Sequence, residues 1–142
     1  MTLHRWGAAL AILGTFACTS RIDARLDITT DAHTPQPTFR ITTTLATRKM
    51  RVERVELGPD DIQRTPLWQL LAEPGTQPAA PRLLTYGQIP PGFFQAAPPA
   101  VLFPGEYALV VDFATGSRSL AFVVASDGSV TAPGLQRIAP AR

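Results

Sequence analysis

Between Leu102 and Gly128 the chain carries its clearest period-two pattern, LFPGEYALVVDFATGSRSLAFVVASDG. Tyr107, Leu109, Val111 and Phe113 alternate with Ala108, Val110 and Asp112, the stretch Ala114 to Ser117 supplies a turn, and Leu120, Phe122 and Val124 line one face of the return. Alternation of this kind puts one row of side chains on each side of a strand, so the stretch predicts a β-hairpin whose apolar face needs a second layer to cover it. Fourteen Pro and ten Gly in 142 residues punctuate the chain too often for long helices and suit short strands joined by turns. One domain of that length buries roughly two-thirds of its unfolded surface, enough for a core without staples. The expected fold is all-β, an antiparallel β-sandwich of about six to eight strands.

The first seventeen residues have the three parts of an export signal: a basic start with His4 and Arg5, an apolar helix-forming run from Gly7 to Phe16, and small Ala17 before Cys18. The run is too short to span a bilayer permanently. Cys18 is the sole cysteine, so an internal disulfide is ruled out, and an exported protein has little use for a loose thiol. Thr15-Phe16-Ala17-Cys18 resembles the lipobox of bacterial lipoproteins, which implies that Cys18 becomes the acylated first residue of the mature chain. The resemblance further implies, from Thr19 rather than Asp after the cysteine, the periplasmic side of the outer membrane. Cleavage after Ala17 by an ordinary signal peptidase is the other reading, and gives a soluble periplasmic protein.

Residues 18–37 mix charges, Thr and Pro and read as a tether, or, where Leu26, Ile28 and Thr30 alternate, as an edge strand over 24–30. The sandwich domain is expected over 38–131 and a tail over 132–142. Phe39, Ile41 and Thr43 predict a strand over Thr38 to Leu45, and a second runs from Arg51 to Leu57 with a bulge near Arg54. Arg48, Lys49, Arg51 and Arg54 fall around the turn between them, either as a contact for anionic lipid or polysaccharide or as solvated charge defending an edge. Asp60 and Asp61 offer too few oxygens for a calcium loop. Trp68, flanked by Leu67, Leu70 and Leu71, is expected in the core against the Tyr107 hairpin with its indole N–H on a carbonyl. Its alternative is an exposed carbohydrate-stacking platform. TYGQIPPGFFQ, Thr85 to Gln95, fixes a stiff path for Tyr86, Phe93 and Phe94, as a binding loop or as a crossing between sheets.

LFPGEY resembles the tyrosine corner of immunoglobulin-type sandwiches, with Leu102, Gly105 and Tyr107 in the matching places. That implies an immunoglobulin-like sandwich in which the Tyr107 hydroxyl bonds backbone a few residues upstream. Taken together, the lipobox-like leader, YGQIPPGF and LFPGEY resemble a group of small bacterial envelope lipoproteins. The resemblance implies a location and a sandwich, and it carries over no activity and no catalytic residue.

The reactive inventory is thin. His4 leaves with the leader, His33 lies in the tether and Cys18 is taken by lipid, so neither a Cys/His metal site nor a serine hydrolase with a histidine base can be assembled. Of the carboxylates, only Asp112 interrupts an apolar strand. Losing Arg5 with the leader leaves twelve of thirteen basic residues against eleven acidic ones, a near-neutral chain with no nucleic-acid motif. The expectation is a non-catalytic protein without metal or cofactor, held to the membrane through acylated Cys18. It binds another envelope protein through a sheet edge or through the Tyr86 to Phe94 loop with Phe93 and Phe94, or alternatively a glycan or small ligand stacked on Trp68, Tyr86 or Phe94; a carboxylate-dependent hydrolase stands third.

Overall fold

A computed structural model describes residues 22–29, 36–55 and 66–132. Among these residues are nine strands: β1 Ala24–Thr29, β2 Thr38–Thr43, β3 Thr47–Arg54, β4 Trp68–Ala72, β5 Leu83–Thr85, β6 Phe93–Ala97, β7 Gly105–Phe113, β8 Gly116–Val124 and β9 Val130–Thr131. They form two antiparallel sheets, ordered β1-β2-β5 and β6-β4-β3-β7-β8-β9, whose inner faces build one core.

The predicted hairpin is the spine of the larger sheet. β7 and β8 pair from Gly105↔Val124 to Phe113↔Gly116, so the turn is the two residues Ala114 and Thr115, shorter than expected. Tyr107, Leu109, Val111 and Phe113 of β7 and Leu120, Phe122 and Val124 of β8 all point inward and are buried. Phe39 and Ile41 of β2 and Leu84 of β5 close the core from the other sheet, with Phe39 edge-on to Phe122 at 5.3 Å between ring centres. β1-β2-β5 faces β4-β3-β7-β8, β6 follows β5 in sequence and returns to the free edge of β4, and β9 adds to the edge of β8.

Three local expectations change. Of the two readings of residues 24–30 the structure has the edge strand, β1, with Leu26 opposite Ile41, so the domain starts well before residue 38. β3 ends at Arg54, and its register shift lies between Thr47 and Lys49 rather than near Arg54. Met50 and Val52 take the inward positions, which leaves Lys49 and Arg51 within the strand on its outer face instead of in a turn. The leader, Cys18, His33, Asp60, Asp61 and the tail beyond Ala132 lie outside the described residues.

The nine-residue strands β7 and β8 give the sandwich a long axis of roughly 30 Å. One end, here the tip end, holds the Ala114–Thr115 turn, the start of β1 and the β2–β3 connection. Gly105 and Tyr107 lie at the opposite, corner end.

Candidate functional site

The corner end is built by two tyrosines. The Tyr107 hydroxyl donates to the Phe103 carbonyl at 2.5 Å, four residues upstream, while its ring stacks on Phe122 at 5.6 Å. That is the contact expected of a tyrosine corner. The Tyr107 ring lies 3.8 Å from where a Cβ on Gly105 would stand, an ordinary contact distance. Tyr86 lies just past β5, where its hydroxyl donates to the Ala100 carbonyl at 2.6 Å and also approaches the Leu67 carbonyl at 3.3 Å. Burial pushes the Tyr86 phenol up to about 12 from its ordinary 10.0. The Ala100 amide in turn donates to the Leu67 carbonyl at 2.9 Å.

Two hydroxyls from opposite sheets thus hold both ends of the short stretch Ala100 to Phe103. Leu102, half-buried, packs on the core between them. Because side chains alternate along an extended backbone, Val101 and Phe103 are turned out, 73% and 68% exposed. They continue an uncharged strip, AAPPAVLFP from Ala96 to Pro104, in which Pro98, Pro99, Ala100 and Pro104 are also exposed. Gly87, at a φ of +86°, runs beneath Pro99, where an added Cβ would come 3.5 Å from the proline ring. The result is an apolar surface on a fixed backbone.

The rings expected to form a binding surface are mostly inside. Trp68 is 0% exposed, Tyr86 3% and Phe93 4%, so these three are core, and a glycan-stacking platform on Trp68 or Tyr86 is ruled out. The physical reason is register: Trp68 lies opposite inward-facing Val52, and Tyr86 packs edge-on to it at 5.2 Å. The indole N–H reaches the Gln95 side-chain carbonyl on β6 at 3.2 Å. Phe94, opposite Leu71 on the outer face of β6, is 41% exposed and is the one ring of the four at the surface. Val101 and Phe103 were not among the expected site residues. Their signal was available as a nine-residue stretch without one polar side chain, flanking a Leu that the corner motif already claimed.

Asp112 is tied up. On the outer face of the larger sheet, Arg51 bonds its carboxylate at 2.6 Å, and Lys49 stands 3.6 Å away. The same guanidinium reaches Glu53, which is buried, at 3.3 Å. Four charges satisfied within one patch make a structural network, and no carboxylate there is poised against a second across a cleft. Among the described residues, no three His, Cys, Asp or Glu side chains come together. A hollow of about 530 Å³ runs along the smaller sheet from Arg40 and Leu83 at mid-strand to Asp23 and Thr44 at its tip end, with Thr42 and Arg82 between them. Compared with family models, curated proteins and solved structures, the chain matches none of them.

Proposed function

We propose that this chain is a non-catalytic envelope module, lipid-anchored through Cys18 on the periplasmic side of the outer membrane. In this reading it binds another envelope protein through the strip from Pro98 to Pro104. The observation that carries the binding role is the exposure of Val101 and Phe103 on a backbone clamped by Tyr86 and Tyr107. Leaving two large apolar side chains in water on a rigid support forgoes stabilisation that burial would supply, about 1.5–3 kcal/mol each. The same fixed geometry lowers the ordering cost when a partner covers them. The lipobox resemblance at Cys18 supports the location, and the ion-paired Asp112 supports a role without catalysis.

The test is photo-crosslinking in the native envelope from a benzoylphenylalanine placed at Phe103, with a second probe at Ser126 as control. A discrete adduct from position 103 that disappears with Val101→Ser supports the assignment. Indistinguishable adduct patterns from 103 and 126 would sink it.

A further inference from the structure

The fold begins almost at the anchor. The Ile22 carbonyl accepts a hydrogen bond from the Arg118 guanidinium at 2.8 Å, and its side chain lies over Gly116, 2.6 Å from where a Cβ would stand. The Asp23 carbonyl accepts from the Thr43 hydroxyl at 3.1 Å. Ile22 and Asp23 are therefore fixed to the tip end on both sides, against the hairpin turn and against the β2–β3 connection. Only three residues separate Ile22 from Cys18. Even fully extended, four steps of chain reach about 14 Å, roughly half the long axis of the sandwich. An acylated Cys18 cannot leave the domain free on a long tether.

Charge follows the same polarity. Arg48 is exposed at the tip end, while Arg40, mid-strand in β2 opposite Asp27, and Arg82 beside it are exposed on the smaller sheet; none of the three has an ion-pair partner among the described residues, and Arg118 is spent on a backbone carbonyl. Arg40 and Arg82 both line the hollow of about 530 Å³, together with Thr42 and Thr44, and its rim includes Asp23, next in chain to Ile22. Guanidinium groups beside threonines suit a phosphate with its several acceptor oxygens. At the corner end, Arg54 stands alongside the acidic Glu106 and Asp127, and the large exposed apolar side chains there are Val101 and Phe103.

We infer that the tip end is a membrane-facing surface: the short link from Cys18 holds it against the bilayer, with Arg40 and Arg82 taking an anionic phospholipid headgroup in the hollow between them. The corner strip then points away from the membrane, where a partner can reach it. This rests on the anchoring proposed above and adds to it an orientation and a lipid contact.

The experiment uses the mature lipidated protein, whose acylated Cys18 leaves a newly introduced cysteine as the single labelling site. An environment-sensitive dye is placed at Thr44→Cys or, at the other end, at Ser126→Cys, and the protein is reconstituted into vesicles of about one-third phosphatidylglycerol carrying a headgroup quencher. The expected result is strong quenching at position 44, at least threefold more than at 126, and at least a twofold loss of it in Arg40→Glu/Arg82→Glu with an unchanged circular dichroism spectrum. Equal quenching at the two positions on an acylated protein overturns the orientation while leaving the anchor standing. Quenching at 44 that is unaffected by the double substitution overturns the headgroup contact. An intact mass without acyl chains overturns the anchor, and the orientation with it.

Discussion

Removing the hydroxyls of Tyr86 and Tyr107 tests the corner most directly, because Tyr→Phe deletes a single polar atom from rings that are 3% and 2% exposed and leaves their packing in place. Each deletion removes one hydrogen bond, at 2.6 Å to Ala100 and at 2.5 Å to Phe103. Both acceptors belong to exposed residues and both bonds are part-buried, and the freed carbonyls are expected to find water at the surface. The expected cost is therefore the net worth of a hydrogen bond, about 1 kcal/mol each, and not the larger penalty of a buried unpaired group. In a domain of this size that corresponds to a fall in Tm of about 4 °C. The double variant should lose less than the sum, since both hydroxyls order one short stretch and releasing either end lowers what the other can hold. Thermal unfolding is read from Trp68 in a chain expressed from Cys18 onward, which omits Trp6, the other tryptophan of the sequence. The crosslinking yield from position 103 should also fall in the double variant, although no side chain of the strip has changed. Melting within about 1 °C of the parent in both single variants, with crosslinking intact, would refute the clamp.

Three further outcomes follow from individual positions. Gly92 has a φ of +85° and would bring an added Cβ to 2.8 Å from the Pro78 ring, so Gly92→Ala should lower stability by about 1–3 kcal/mol in urea unfolding. Thr47 is 1% exposed and its hydroxyl has no partner among the described residues, so Thr47→Val, of the same shape, should raise the urea midpoint without changing its slope. Because the folded-state phenol of Tyr86 titrates near 12 and an unfolded one near 10.0, its contribution is complete below pH 10 and is lost as pH rises towards 12. Unfolding midpoints measured across that window should fall more steeply in the parent than in Tyr86→Phe.

How much of this was legible in the sequence depended on whether one strand's own pattern decided the matter. The alternation from Tyr107 to Val124 specified the hairpin, its inward face and the need for a covering layer, and the structure has all three. The corner was legible because Tyr107 and Gly105 carry it at fixed spacing within a few residues. β1 was ambiguous, since Leu26 and Ile28 gain meaning only opposite Ile41 and Phe39, and that pairing is invisible to a local pattern. The phase of β3 was missed for a similar reason: the extra residue sits at Arg48, before the apolar positions, where no hydrophobic residue marks the slip. The aromatic loop misled because Pro and Gly fix a path without saying which side of it faces the core. Tyr86 and Phe93 turn inward only because Trp68 and the β4 edge are there to receive them.

The outer face of the larger sheet and the corner strip differ in what they leave unsatisfied, and this decides between them as a place for a partner. On the outer face of the larger sheet, Ala108 and Val110 are at most 9% exposed, with Lys49, Arg51, Glu53 and Asp112 beside them. Those charges already answer one another at 2.6 to 3.6 Å, so a protein docking there would strip water from ion pairs and gain little in return. The corner strip has no polar side chain to desolvate, and its backbone carbonyls at Ala100 and Phe103 are already engaged from within. Covering Val101 and Phe103 therefore gains apolar burial without a matching electrostatic loss. A single Phe103→Glu substitution, on an exposed side chain with no role in the core, should abolish capture of the partner while leaving Tm within about 2 °C of the parent. Retained capture would place the partner on another surface.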